Sequence, residues 1–125
     1  LAISFGLVLL FTGSVTFAGS IDDVRVTVND DHTVQVNFTG SWDANQPTPN
    51  GAWTKIYFLG QNGQEEIVAQ LYYPGGQFTT DAATRIFSGT DCTMDVLDSR
   101  TYSVFTRVTS GNMTIAETTT TVTVP

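Results

Sequence analysis

From Asp22 onward, apolar and polar residues alternate along most of the chain. Val24, Val26 and Val28 alternate with Arg25 and Thr27. After the turn-forming run Asn29-Asp30-Asp31-His32, Val34, Val36 and Phe38 alternate with Thr33, Gln35 and Asn37. A period of two sends alternate side chains to opposite faces of a strand, so these two runs predict a hairpin or sheet edge. The residues Gly40 to Gly51, with Pro47, Pro49 and Asn50, read as a long loop. Further strands are predicted over 53–59 and 66–73 around the turn Gly60-Gln61-Asn62-Gly63, with Pro74-Gly75-Gly76 stopping the second. Short strands over 77–80 and 85–87 precede a turn at Ser88-Gly89-Thr90-Asp91. Strands over 101–109 and 113–124 then flank the tight turn Ser110-Gly111-Asn112. About seven or eight strands in roughly 100 residues are the dimensions of an immunoglobulin-like antiparallel sandwich. The alternation predicts a core of Val24, Val26, Val34, Val36, Phe38, Ile56, Phe58, Tyr102, Val104 and Val108.

The N-terminal segment follows a different pattern. Leu1 to Ile21 carry no charge, and at about 1.5 Å per residue a helix of this length spans roughly 30 Å, about one bilayer hydrocarbon core. At 100° per residue Ala2, Gly6, Gly13 and Ser20 fall in one narrow stripe together with Leu9. Small side chains in such a stripe let neighbouring helices approach closely. Ile3, Phe5, Leu7, Val8, Leu10, Phe11, Val15 and Phe17 make the other faces apolar, so the helix would need partners on every side. The expectation is therefore mainly β with one N-terminal α-helix: residues 1–21 a hydrophobic helix, 22–125 a β head. Ala2, Phe5, Gly6, Leu9, Leu10, Gly13 and Phe17 are the candidate assembly residues. The segment also resembles a secretory signal, with Thr16-Phe17-Ala18 before Gly19. Against that, it begins at Leu1 with no Met or basic run, as if a leader had been removed ahead of it. A membrane anchor and an extended donor strand are the other readings of the same residues.

Composition narrows the chemistry. The 125 residues set a prior of one domain, and twelve acidic against five basic residues give a net charge of −7. A polyanion would be repelled, so nucleic acid is excluded as a partner. One cysteine, Cys92, excludes an intrachain disulfide and is expected as a small buried core residue or a free thiol, and one histidine, His32, excludes a blue-copper set despite Met94 and Met113. Asp22-Asp23 and Asp30-Asp31 offer oxygens but lack any calcium-loop spacing. There is no phosphate-binding glycine loop, nucleophile elbow or Ser/His/Asp signature, so neither an enzyme nor a cofactor or metal site is expected. The sequons Asn37-Phe38-Thr39 and Asn112-Met113-Thr114 are glycosylation candidates. Strand alternation turns Asn37 away from the core, and Asn112 lies in a turn.

Leu97-Asp98-Ser99-Arg100-Thr101-Tyr102, followed by the alternating run from Ser103 to Val108, resembles the tyrosine corner and F strand of fibronectin type III domains. That resemblance implies a Tyr102 hydroxyl bonded back to nearby backbone. Trp42 lies beyond its strand, out of place for that family's core tryptophan, so the resemblance extends to topology. As a whole, an apolar N-terminal segment, a Gly19-Ser20 joint and a β head resemble an archaeal type IV pilin. Bacterial type IV pilins typically begin with Phe and carry Glu at the fifth position, where this chain has Leu1 and Phe5. The resemblance implies a structural subunit of an extracellular, cell-surface filament, with helices packed as its core and often glycosylated heads as its sheath. Its partners would be identical copies, the membrane before assembly and a surface ligand of unspecified kind. A membrane-anchored adhesion module, or a filament built by donor-strand exchange through residues such as Val15 and Thr16, are the alternatives.

Overall fold

The structure, a computed structural model, describes residues 17–74 and 76–125, and every element in it is a strand. In chain order these are β1 (Ser20–Val28), β2 (Val34–Ser41), β3 (Gly51–Leu59), β4 (Glu65–Leu71), β5 (Phe78–Asp81), β6 (Ile86–Cys92), β7 (Arg100–Ser110) and β8 (Met113–Val124). They form two antiparallel sheets in the orders β1-β2-β6-β5 and β4-β3-β7-β8. This is the order in which immunoglobulin-like sandwiches split their strands. β1 lies against β8 along one side of the sandwich, leaving β4 and β5 as the edges of the other.

The expectation of a helix with a β head is corrected to an all-β, two-sheet fold. Residues 1–16 of the expected helix lie outside the described residues. Its last two, Ser20 and Ile21, are strand, because their backbones pair with Ser41 and Gly40 of β2. No helix among the described residues is long and apolar enough to cross a membrane. A second correction concerns Ser88-Gly89-Thr90-Asp91, expected as a turn and found inside β6. These polar, glycine-containing residues pair with β2 on one side, and Ser88 and Gly89 also pair with β5 on the other. Turn-forming composition is overridden here by two neighbouring ladders.

The core confirms the strand parity. Val34, Val36, Phe38, Ile56, Tyr102, Val104 and Val108 are buried between the sheets, while Val24, Val26 and Phe58 pack against them half-buried. Trp42 is also core, although it lies just beyond β2; its amide donates to the Arg85 carbonyl. Phe38 anchors an aromatic cluster, with its ring centroid 5.0 Å from Tyr73 edge-on, 6.3 Å from Phe78 and 6.1 Å from Phe87. Tyr73 also supplies a buried polar link: its hydroxyl lies 2.7 Å from that of Thr54, which is 2.7 Å from that of Thr106. Each of these three hydroxyls has a partner, which removes the cost of burying it. The Tyr102 hydroxyl donates to the Asp98 carbonyl at 2.8 Å, tying the start of β7 to the segment before it.

Burial pushes the Tyr73 phenol well above its usual 10.0, against a smaller opposing effect of the Thr54 hydrogen bond. Burial raises Tyr102 as well. Below pH 10 both folded and unfolded chains hold these protons; above it the unfolded chain releases them first, so stability falls as pH rises. Between pH 10 and 12 the unfolding free energy of the wild type should fall more steeply than that of Tyr73→Phe, by about 1.4 kcal/mol per pH unit for the one proton removed. Urea titrations along a pH series measure this directly; parallel slopes would mean that Tyr73 ionises in the folded state as readily as in water.

Candidate binding face

With Ala52, Thr54 and Ile56 of β3 turned inward, alternation sends Trp53, Lys55 and Tyr57 to the solvent face of their sheet. On β7 the inward set Tyr102, Val104, Thr106 and Val108 leaves Ser103, Phe105 and Arg107 outward. Register places Trp53 opposite Arg107 and Lys55 opposite Phe105; on the flanking strands Gln70 faces Lys55 and Glu117 faces Arg107. The Trp53 and Phe105 rings lie 5.4 Å apart at 50°. Lys55 Nζ sits 5.1 Å from the Tyr57 ring and 5.2 Å from Phe105, while the Arg107 guanidinium lies 5.4 Å from Trp53 and 5.2 Å from Phe105. Both cations have carboxylate partners: Lys55 Nζ lies 2.6 Å from Glu65, and Arg107 donates through Nε at 2.8 Å and its terminal nitrogen at 2.7 Å to Glu117. Beyond β4, Tyr72 stands 63% exposed, its hydroxyl donating to the Gln70 side-chain oxygen.

This face differs from the rest of the surface in charge as well as shape. Strands β4, β3, β7 and β8 carry Lys55, Arg100 and Arg107 against Glu65, Glu66 and Glu117, three of each sign. All nine aspartates lie elsewhere, with Arg25 and Arg85, so the whole net charge of −7 resides off this sheet. The outer face of the other sheet is polar instead, bearing Arg25, Thr27, Gln35, Asn37, Ser88 and Thr90.

A groove of about 500 Å³ runs between the end of β4 and the segment after β6, lined by Val68, Leu71, Tyr72, Pro74, Cys92 and Met94 among others. Cys92, expected as a small buried core residue or a free thiol, is an exposed free thiol because it occupies an outward position at the end of β6. Met94 beside it is 97% exposed. The adjoining edge is interrupted where Ile56 pairs with Ala69 but Tyr57 pairs with Ile67, leaving Val68 bulged. Together with Glu65 and Glu66, such a bulge discourages addition of another strand.

The remaining sequence candidates are dispersed. Ala2, Phe5, Gly6, Leu9, Leu10 and Gly13 lie outside the described residues; Phe17 is half-buried. Gly19 is buried where a Cβ would meet the Ile115 carbonyl oxygen at 2.7 Å and the Gln46 side chain at 2.9 Å, so only glycine fits at this point. His32 is half-buried with φ 67°, and its carbonyl accepts from the Leu97 amide. Among the described residues no three His, Cys, Asp or Glu side chains come together. Asn37 is half-buried on the outer face between β1 and β6, its oxygen accepting from Gln35 and Thr90, whereas Asn112 is exposed in the turn before β8. Sequence reasoning passed over the aromatic face, yet its signal was present: the parity that buries Ile56 requires Trp53 to point outward.

No family model matches the chain, and no curated protein matches it. Among solved structures it is similar to the chitinase ChiW of Paenibacillus sp. str. FPU-7, described as a cell-surface-expressed multi-modular enzyme. The identity is 14%, the TM-score 0.53, and the match covers 88% of this chain and 9% of that one. A protein assigned as a β-galactosidase from Bacteroides fragilis matches at 17% identity and TM-score 0.41, over 86% of this chain and 18% of that one. The chain thus spans less than a tenth of the chitinase, and the likeness establishes a shared sandwich fold only.

Glycosylation of native material is expected at Asn112 ahead of Asn37, because the turn leaves its side chain open while Asn37 is held by hydrogen bonds mid-sheet. Mass spectrometry of native subunits should show added mass that Asn112→Gln removes. A bare 13.5 kDa chain, or sugar confined to Asn37, would contradict this.

Proposed function

We propose that this chain is a non-catalytic subunit of an extracellular, cell-surface homopolymer of the archaeal type IV pilin kind, in which apolar N-terminal segments provide cohesion and the sandwiches form the outer sheath. The observation that carries this reading is the self-sufficiency of the sandwich. Its eight strands pair with one another, and no buried side-chain nitrogen or oxygen among the described residues lacks a partner. On this reading the uncharged residues ahead of Gly19, which no strand pairing of the described sandwich requires, are available to a partner. Burying them against identical copies contributes tens of kcal/mol gross per subunit at about 25 cal/mol per Å², before association costs. A membrane-anchored adhesion module would use the same segment differently, holding single subunits in the bilayer. Donor-strand exchange is less well supported, because each sheet already has four strands of its own.

A charge placed within the apolar segment tests the proposal. Leu9→Asp should abolish filaments seen by negative-stain microscopy while leaving the thermal unfolding of the sandwich unchanged. Filaments that persist in the variant would overturn the proposal, and so would wild-type subunits that remain dispersed in membranes.

A further inference from the structure

We propose that the solvent face of the β4-β3-β7-β8 sheet, centred on Trp53, Tyr72 and Phe105, binds an uncharged saccharide. Four aromatic side chains, Trp53, Tyr57, Tyr72 and Phe105, are gathered on the outside of one sheet, while the outer face of the other sheet carries none. Outward aromatics on a single face mark a contact surface rather than a packing need, since the core of this sheet is already filled from the other side.

The polar groups between the rings identify the partner. Lys55, Gln70, Arg107 and Glu117 are interleaved with the aromatics and offer hydrogen-bond donors and acceptors at the same level. A pyranose ring has the complementary surface: an apolar face of C–H bonds that lies on an aromatic ring, rimmed by hydroxyls that both donate and accept. A protein partner fits less well, because interface cores are depleted in Lys and Glu and would have to desolvate both ion pairs. Charge selects among saccharides. The face is balanced, Lys55 and Arg107 against Glu65 and Glu117, and the four strands of its sheet carry no net charge, while the rest of the molecule holds −7. Anionic polymers are therefore repelled by the surroundings and gain no compensating field at the face. The site belongs to a single subunit and is present whether or not the chain polymerises.

Affinity electrophoresis suits a chain of this charge. The full-length protein, kept dispersed in a mild detergent, is run through native gels containing hydroxyethylcellulose, galactomannan, glycogen or glycol chitin, with alginate as the anionic comparison. A second arm uses an immobilised glycoprotein bearing neutral oligomannose chains, which separates free polysaccharide from protein-linked glycan; binding in either arm supports the proposal. At least one neutral ligand should bind. Trp53→Ala and Tyr72→Ala should each weaken that binding about tenfold, the effect of losing one well-packed aromatic anchor. Thr27→Ala, on the outer face of the other sheet, should leave it intact. Tyr72 is exposed, so its variant reports on binding even if Trp53→Ala unfolds. The proposal is overturned if no neutral ligand binds in either arm, if only alginate binds, or if binding survives Tyr72→Ala unchanged.

Discussion

Within the β1-β2-β6-β5 sheet the ring of Phe38 lies on the backbone of Gly89, and from that seat it faces the other sheet. Gly89 is the cross-strand partner of both Phe38 in β2 and Phe78 in β5, and any side chain there would fall inside the Phe38 ring. The missing side chain costs β6 conformational entropy, which the aromatic cover offsets. With its position set, Phe38 meets Tyr73 edge-on. Tyr73 in turn reaches the Thr54–Thr106 hydroxyls of the facing sheet, so one contact chain crosses the sandwich from apolar to polar without an orphaned group. Loss of a ring such as Phe38 from a core of this kind costs roughly 3–5 kcal/mol, a large part of the stability of a small domain.

Because the inner face is filled in this way, the outer face of the β4-β3-β7-β8 sheet is free to be specialised. Its rings are held by Lys55 and Arg107, which are themselves held by Glu65 and Glu117, giving a surface ordered by its own contacts. Ion pairs at this degree of exposure add little to stability, so their value lies in fixing side-chain positions. The segregation of charge follows the same division: aspartates occupy turns, loops and the other sheet, leaving the aromatic face uncharged overall.

The alternation of valines in β1 and β2, and of Tyr102, Val104 and Val108 in β7, made the strands and most of the core legible, because burial on one face imposes a strict period of two. The Leu97–Tyr102 run likewise announced the hydrogen bond that Tyr102 makes to Asp98. Residues 88–91 misled because their composition is that of a turn, while the ladders that recruit them come from β2 and β5, distant in sequence. The strand at Ser20 and Ile21 escaped notice for a related reason: their apolar surroundings share no period with the valines that follow, and only pairing with Gly40 and Ser41 defines them. The outward positions of Trp53 and Phe105 follow from the same parity, but their meeting on one face depends on the register between β3 and β7, which neither strand shows alone.

The eight strands complete one another's ladders, and the proposed function requires that this sandwich fold without residues 1–18. Its most direct test is thermal unfolding of residues 19–125 alone, with and without a synthetic peptide of residues 1–18. The account predicts a cooperative transition whose midpoint the peptide does not move. A truncated chain that is unfolded or aggregated until the peptide is added, or a midpoint that rises with peptide concentration, would show that the segment completes the fold and would contradict the account.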